Sequence, residues 1–213
     1  GGGVKPDWRG WSAYILAIAN SAKFEKLWHA LEDMRVEVRA EVSSQVCEAI
    51  ASTASVNRLK ARDALQQLRT FAASPSLDSG KVPTAAVIAC ISAHGRLDSP
   101  KAAFEIHDEF KDKIHADSRS QSAVFEALLG VCALHGRLDV ASVTLAYLSN
   151  EEIAPSQVSY AYIVTAAVRA GELDKAQEFA ANLKAPDADQ GGTLEAQRVK
   201  RALEMLAMAQ RGG

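Results

Sequence analysis

One short phrase occurs twice in this chain and limits what it can fold into. It reads His94-Gly95-Arg96-Leu97-Asp98 and again His135-Gly136-Arg137-Leu138-Asp139. A looser copy follows at Ala170-Gly171-Glu172-Leu173-Asp174. The glycines are 41 and 35 residues apart (136 − 95 and 171 − 136). Self-similarity at a period of a few tens of residues marks a repeat architecture, in which each unit buries its apolar face only against its neighbours. The phrase itself has a mechanical meaning. Glycine closes a helix in the left-handed conformation, a basic residue suits the helix end before it, and aspartate suits the start of the helix after it. Each phrase is therefore expected to be a helix–turn–helix corner, and Ser99-Pro100 strengthens the first, since Pro fits the first turn of a helix.

Apolar residues on either side recur at three and four, the helical period. Residues 8–42 hold two such stripes, Trp11, Tyr14, Ile15, Ile18 and Ala19, then Phe24, Leu27, Trp28, Leu31 and Met34, with a polar corner at Asn20 to Lys23. Residues 43–80 repeat the plan with Val46, Ala49, Ile50 and Thr53, then Leu59, Ala64, Leu65, Leu68 and Phe71. Ala72 to Gly80 reads as the most loop-like stretch. Residues 81–121 carry Val87, Ile88 and Ile91, then Ala103, Phe104, Ile106 and Phe110, with extra length expected in a corner at Ala116 to Gln121. Residues 122–156 and 157–187 agree under a shift of 35, which places Leu138 on Leu173, Ala141 on Ala176 and Leu148 on Leu183. Residues 1–7, ending Pro6-Asp7, read as the tail of a preceding repeat or arm. Residues 188–192 read as a linker. Thr193 is placed to N-cap a last helix over 193–210, either a cap or the first helix of a sixth repeat. No strand pattern is evident, so the expected fold is all-α.

The chain has 213 residues, 48% hydrophobic and 23% charged, which is globular composition, and a formal net charge of −2 gives no overall basic field for nucleic acid. No run of about 18 apolar residues marks a membrane span. Three cysteines, Cys47, Cys90 and Cys132, show no CxxC spacing and read as reduced, buried thiols. His94 and His135 stand at equivalent corners without a cysteine or carboxylate at ligand spacing, so no metal is expected. Phosphate loops, nucleophile elbows and His-Glu-x-x-His motifs are all missing, so the chain reads as a non-enzyme with no cofactor. Two basic clusters are candidate phosphate contacts: Arg58, Lys60 and Arg62, with Arg69 beside them, and Arg198, Lys200 and Arg201. Trp8 and Trp11 are placed either to stack on bases or to cover an apolar repeat face.

The run Val158-Ser159-Tyr160-Ala161-Tyr162-Ile163-Val164, with Arg169 to Ala176 after it, resembles a pentatricopeptide repeat. So does Gly136-Arg137-Leu138-Asp139 followed by Glu152-Ile153-Ala154-Pro155-Ser156. The resemblance covers about five units over 8–187 and implies a right-handed superhelical solenoid of helix pairs. It further implies single-stranded RNA as partner, read at about one base per repeat, and a place in mitochondria or plastids. Two side chains per repeat do the reading in that family, one early in the first helix and one at the end of the repeat. Carried over, they are Ser12 with Val42, Cys47 with Gly80, Ala85 with Asp117, Glu126 with Ser156, and Ala161 with Asp187. None of these pairs combines the family's usual Thr, Ser or Asn with Asp or Asn. RNA binding by this stretch is thus expected to be weak or non-specific. The alternative is a scaffold holding protein subunits of a larger organellar assembly.

Overall fold

The computed structural model describes residues 7–21, 24–38, 65–66, 68–70, 73, 80–97, 100–114, 116–185 and 193–212. All of the regular structure among them is helical. The all-α expectation therefore holds, and no helix among the described residues is long and apolar enough to cross a membrane. The chain divides into two units, residues 1–115 and 116–213.

In the first unit, α1 (Trp8–Asn20) pairs with α2 (Phe24–Val38), and α3 (Thr84–Leu97) pairs with α4 (Pro100–Phe110). Asp7 N-caps α1, its carboxylate accepting from the Gly10 amide at 2.9 Å; residues 1–6, read from the sequence as part of a preceding repeat or arm, lie outside the described residues. The first apolar stripe buries Ile15 and Ile18, but Tyr14 stands 54% exposed at its edge, its ring edge-on to Trp11. Leu27, Leu31 and Met34 face them from α2. Between α3 and α4 the core is Val87, Ile91, Ala103, Ile106 and Phe110. Here the first copy of the corner phrase departs from expectation. Gly95 is buried inside α3, which runs on to Leu97, so this glycine does not end the helix. The amide of Val82 donates to the Lys113 carbonyl and ties the entry of the hairpin to its exit.

In the second unit the helix pairs are α5 (Ser118–His135) with α6 (Leu138–Asn150), and α7 (Gln157–Ala170) with α8 (Leu173–Ala180); α9 (Leu194–Gly212) follows. Helix α7 packs on α5, and α9 packs on α7, making a row of three stacked helices. Because α7 is covered on both sides, residues 157–168 carry no charge, as a helix enclosed all round requires. Ala161, Ile163, Val164, Ala166 and Ala167 are all buried. Each large core side chain here, such as Leu128, Leu148 or Ile163, stabilises the stack by roughly 1.5–3 kcal/mol.

The second and third corners match their expected geometry. Gly136 has φ +64° and Gly171 φ +79°, both at helix ends. In each, the amide after the glycine donates back five residues, Arg137 to Cys132 and Glu172 to Ala167, the Schellman closure. Asp139 and Asp174 then lie in the first turns of α6 and α8. The extra length between the third and fourth sequence repeats is not a loop. Asp117 caps α5 by accepting from the Ser120 amide at 2.9 Å, and residues 118–121 become its first turn.

Candidate functional site

Four helices begin alike. Asp7, Asp117, Ser156 and Thr193 each accept through a side-chain oxygen from the amide three residues on, starting α1, α5, α7 and α9. Two of these caps, Asp117 and Ser156, are also candidate reading positions. Their side chains are therefore already committed to backbone amides. Ser156 is committed further, because its hydroxyl donates to Glu126 Oε1 at 2.5 Å. The pair Glu126–Ser156, expected to face one base together, is closed on itself in this unit.

The other candidates are scattered. Ala161 is 1% exposed and offers a ligand neither a polar group nor surface. Ser12 on α1 and Ala85 in the first turn of α3 are half-buried. Cys47, Val42, Asp187, Arg58, Lys60 and Arg62 lie outside the described residues. Arg69 ends in an ion pair with Glu109 at 2.6 Å, so its charge is met within the first unit.

On α9 the basic cluster divides. Arg198 and Arg201 are three residues apart and share a side of the helix, whereas Lys200 points elsewhere and reaches Glu204 at 3.9 Å. Arg198 lies over the ring of Tyr162 on α7, its guanidinium carbon 5.3 Å from the ring centroid. The same ring rests against Gly130 of α5, where a Cβ would sit 3.2 Å from Tyr162 Cζ. Gly130, Tyr162 and Arg198 thus form a column across the three stacked helices. Sequence reasoning did not single out Tyr162 or Gly130. The available signal was an isolated glycine inside a helical pattern, which often marks close approach of a neighbour.

The Cys132 thiol is pushed up to about 12 by burial, so it stays protonated. Among the described residues, no three His, Cys, Asp or Glu side chains gather as metal ligands would.

No protein-family model matches the sequence, and no curated protein is significantly similar to it. Solved structures are similar in fold. The pentatricopeptide repeat protein PPR10 in complex with an 18-nt psaJ RNA element matches with a TM-score of 0.58 at 13% identity. The match covers 99% of this chain and 30% of that one. A cysteine-to-serine variant of the same protein with the same RNA element gives the same TM-score, 0.58, and the same 13% identity. These likenesses show the fold: a pentatricopeptide-type array of helix pairs, spanning about 30% of the length of those relatives.

Proposed function

We propose, from the pentatricopeptide-type fold, that this chain is a helical-repeat module binding single-stranded RNA through its phosphate backbone rather than by reading bases. One observation carries the proposal. The three stacked helices of the second unit end in α9, where Arg198 lies over the Tyr162 ring, 5.3 Å from its centroid, with Arg201 one turn away. A guanidinium positioned over a ring is pre-organised for phosphate. Base-specific hydrogen bonds have less support, since Glu126 and Ser156 satisfy each other and Ala161 is buried. Phosphate contacts position a nucleic acid without carrying sequence information. The solved neighbours were obtained with RNA bound, which favours RNA as the ligand class.

The test is a titration of random and defined single-stranded RNA at about 50 and 200 mM salt. The proposal expects weak binding that falls with salt, shows no preference among sequences, and is lost in Arg198→Glu/Arg201→Glu. Sequence-selective binding that survives this reversal would overturn it. Arg58, Lys60 and Arg62 form a second basic segment, to be reversed in a separate variant. An organellar setting, mitochondrion or plastid, is part of the same proposal and rests on the sequence resemblance alone; fractionation of cells expressing a tagged full-length protein tests it.

A further inference from the structure

Helix α6 has an outer face unlike that of its counterpart α8. Under the 35-residue shift, its solvent positions Asp139, Ser142, Val143, Ala146 and Tyr147 correspond to Asp174, Gln177, Glu178, Ala181 and Asn182. The later repeat thus keeps polar side chains at two places where the earlier one has Val143 and Tyr147. Val143 is 70% exposed and Tyr147 46% exposed, so neither stabilises the fold by much burial. Tyr147 is nevertheless held in place, its ring 5.2 Å from that of Phe125.

The surroundings of this apolar pair are acidic. From Arg137 to Glu152 and from Gly171 to Asn182 the second-of-pair helices and their flanks carry six acids and two bases. Helices α5, α7 and α9 carry the opposite balance, six bases and three acids. A cleft of about 450 Å³ opens where α6 and α8 begin, lined by Asp139 and Ser142 of α6, Glu172 and Lys175. Asp139 is one helical turn from Val143, so cleft and apolar face are continuous. Glu151 and Glu152 close the other end of α6.

We propose that the outer face of α6 docks a protein segment that presents an apolar side chain one helical turn from a lysine or arginine. The apolar group covers Val143 and Tyr147, and the cation enters the cleft, where it competes with Arg137 for Asp139 and with Lys175 for Glu172, both pairs being solvent-exposed. Charge selects the occupant. RNA is repelled by the net acidic charge of these elements, and a second copy of this face would bring the same charge together. An amphipathic basic helix meets both requirements, in the mode of a helix laid on an apolar strip. This surface is separate from the Arg198–Tyr162 column, so one chain has room for RNA and a protein together.

The experiment uses the whole chain and a synthetic amphipathic peptide of about 15 residues, with leucines at i, i+4 and i+7 and flanking lysines. Fluorescence anisotropy measures binding, and amide hydrogen exchange locates it. The double variant Val143→Glu/Tyr147→Asn copies side-chain types that the next repeat already carries, so the fold tolerates it; circular dichroism melts check this. The expected result is protection over residues 138–152 and a loss of at least about tenfold in affinity in the double variant. RNA binding should be unchanged. Undiminished binding by the double variant, equal binding of a glutamate-for-lysine peptide, or protection elsewhere would each overturn the proposal. Protection of α6 by single-stranded RNA, or self-association through α6 that excludes the peptide, would do so as well.

Discussion

The Arg169 guanidinium donates to the Leu134 carbonyl at 2.5 Å, and the two residues are 35 positions apart, so the bond joins equivalent places in consecutive repeats. Leu134 lies in the last turn of α5, where carbonyls have no partner within the helix. The next repeat therefore caps the helix of the one before it. The same arginine crosses Gly136, the corner glycine between α5 and α6. Helix closure and stacking of repeats are coupled at this point.

Replacing Arg169 with Ala should lower stability by about 1 kcal/mol, the lower end for a hydrogen bond from a charged group, because the site is exposed and water substitutes in part. Denaturant unfolding measures it. Arg169→Lys should recover only some of the loss, since an ammonium lacks the planar fork that reaches the carbonyl. An unchanged midpoint in Arg169→Ala would remove the inter-repeat cap from the account.

Gly136 and Gly171 make a matched comparison. Both have positive φ, so alanine at either costs roughly 1 kcal/mol in backbone conformation. At Gly171 an added Cβ meets nothing within 4 Å, whereas at Gly136 it would sit 3.2 Å from Arg169 Cβ and 3.4 Å from the Arg169 carbonyl carbon. Thermal melts should therefore rank Gly136→Ala clearly below Gly171→Ala. Equal losses would mean that the contact with Arg169 relaxes without cost.

Glu152 has φ +58° without being glycine, and it closes α6 in the same way, with the Ile153 amide donating to the Leu148 carbonyl at 2.9 Å. A side chain there pays a conformational penalty that glycine avoids. Glu152→Gly should raise stability by about 0.5–1 kcal/mol despite the added freedom of the unfolded chain. A loss of stability on calorimetry would show that the Glu152 side chain contributes more than its strain.

Asp139 is held down to about 2 from an ordinary 3.8, first by its hydrogen bond from Arg137. A carboxylate depressed in the folded state contributes stability above its unfolded pKa, and that contribution fades as pH falls from about 4 to about 2. Asp139→Asn should flatten that part of the acid limb and leave melts near neutral pH less sensitive to salt. NMR titration of the Asp139 carboxyl reads the value directly; a midpoint near 4 would rule out the ion pair.

Cys132 is fully buried and its thiol is pushed up to about 12, while Cys90 is equally enclosed in α3. Neither should react with a soluble alkylating agent near neutral pH unless the chain unfolds. Mass spectrometry after brief labelling, with and without urea, distinguishes the cases. Modification of native Cys132 would show that α5 opens locally on the timescale of the reaction.

The corner phrase carried most of what was legible. At Gly136 and Gly171 local chemistry dictates the fold, since a glycine after a helical run and an aspartate after the glycine act within a few residues. At Gly95 the same letters lie inside α3, because helix ends are decided by which neighbouring turn offers better packing and capping, and propensity is easily overridden. The extra residues at Ala116 to Gln121 were misplaced for a similar reason: Asp117 is a good cap, and a capped turn continues the helix rather than making a corner. In the candidate site, the Arg198–Arg201 pair was visible as a charge cluster, but Tyr162 was not. A ring becomes a platform only when a glycine on one neighbour and a guanidinium on the other approach it.

What the sequence determined alone is the periodic part: helix pairs, the 35-residue shift between the last two of them, the corners at Gly136 and Gly171, and the Thr193 cap, all of which follow from interactions over a few positions. Which side chains remain available to a ligand was decided only in three dimensions. Glu126 and Ser156 are 30 residues apart and meet because α5 and α7 stack, and Ala161 is enclosed for the same reason. Hydrogen bonding and burial at such positions depend on neighbours distant in the chain, and periodicity says that a neighbour exists without saying which of its atoms arrives.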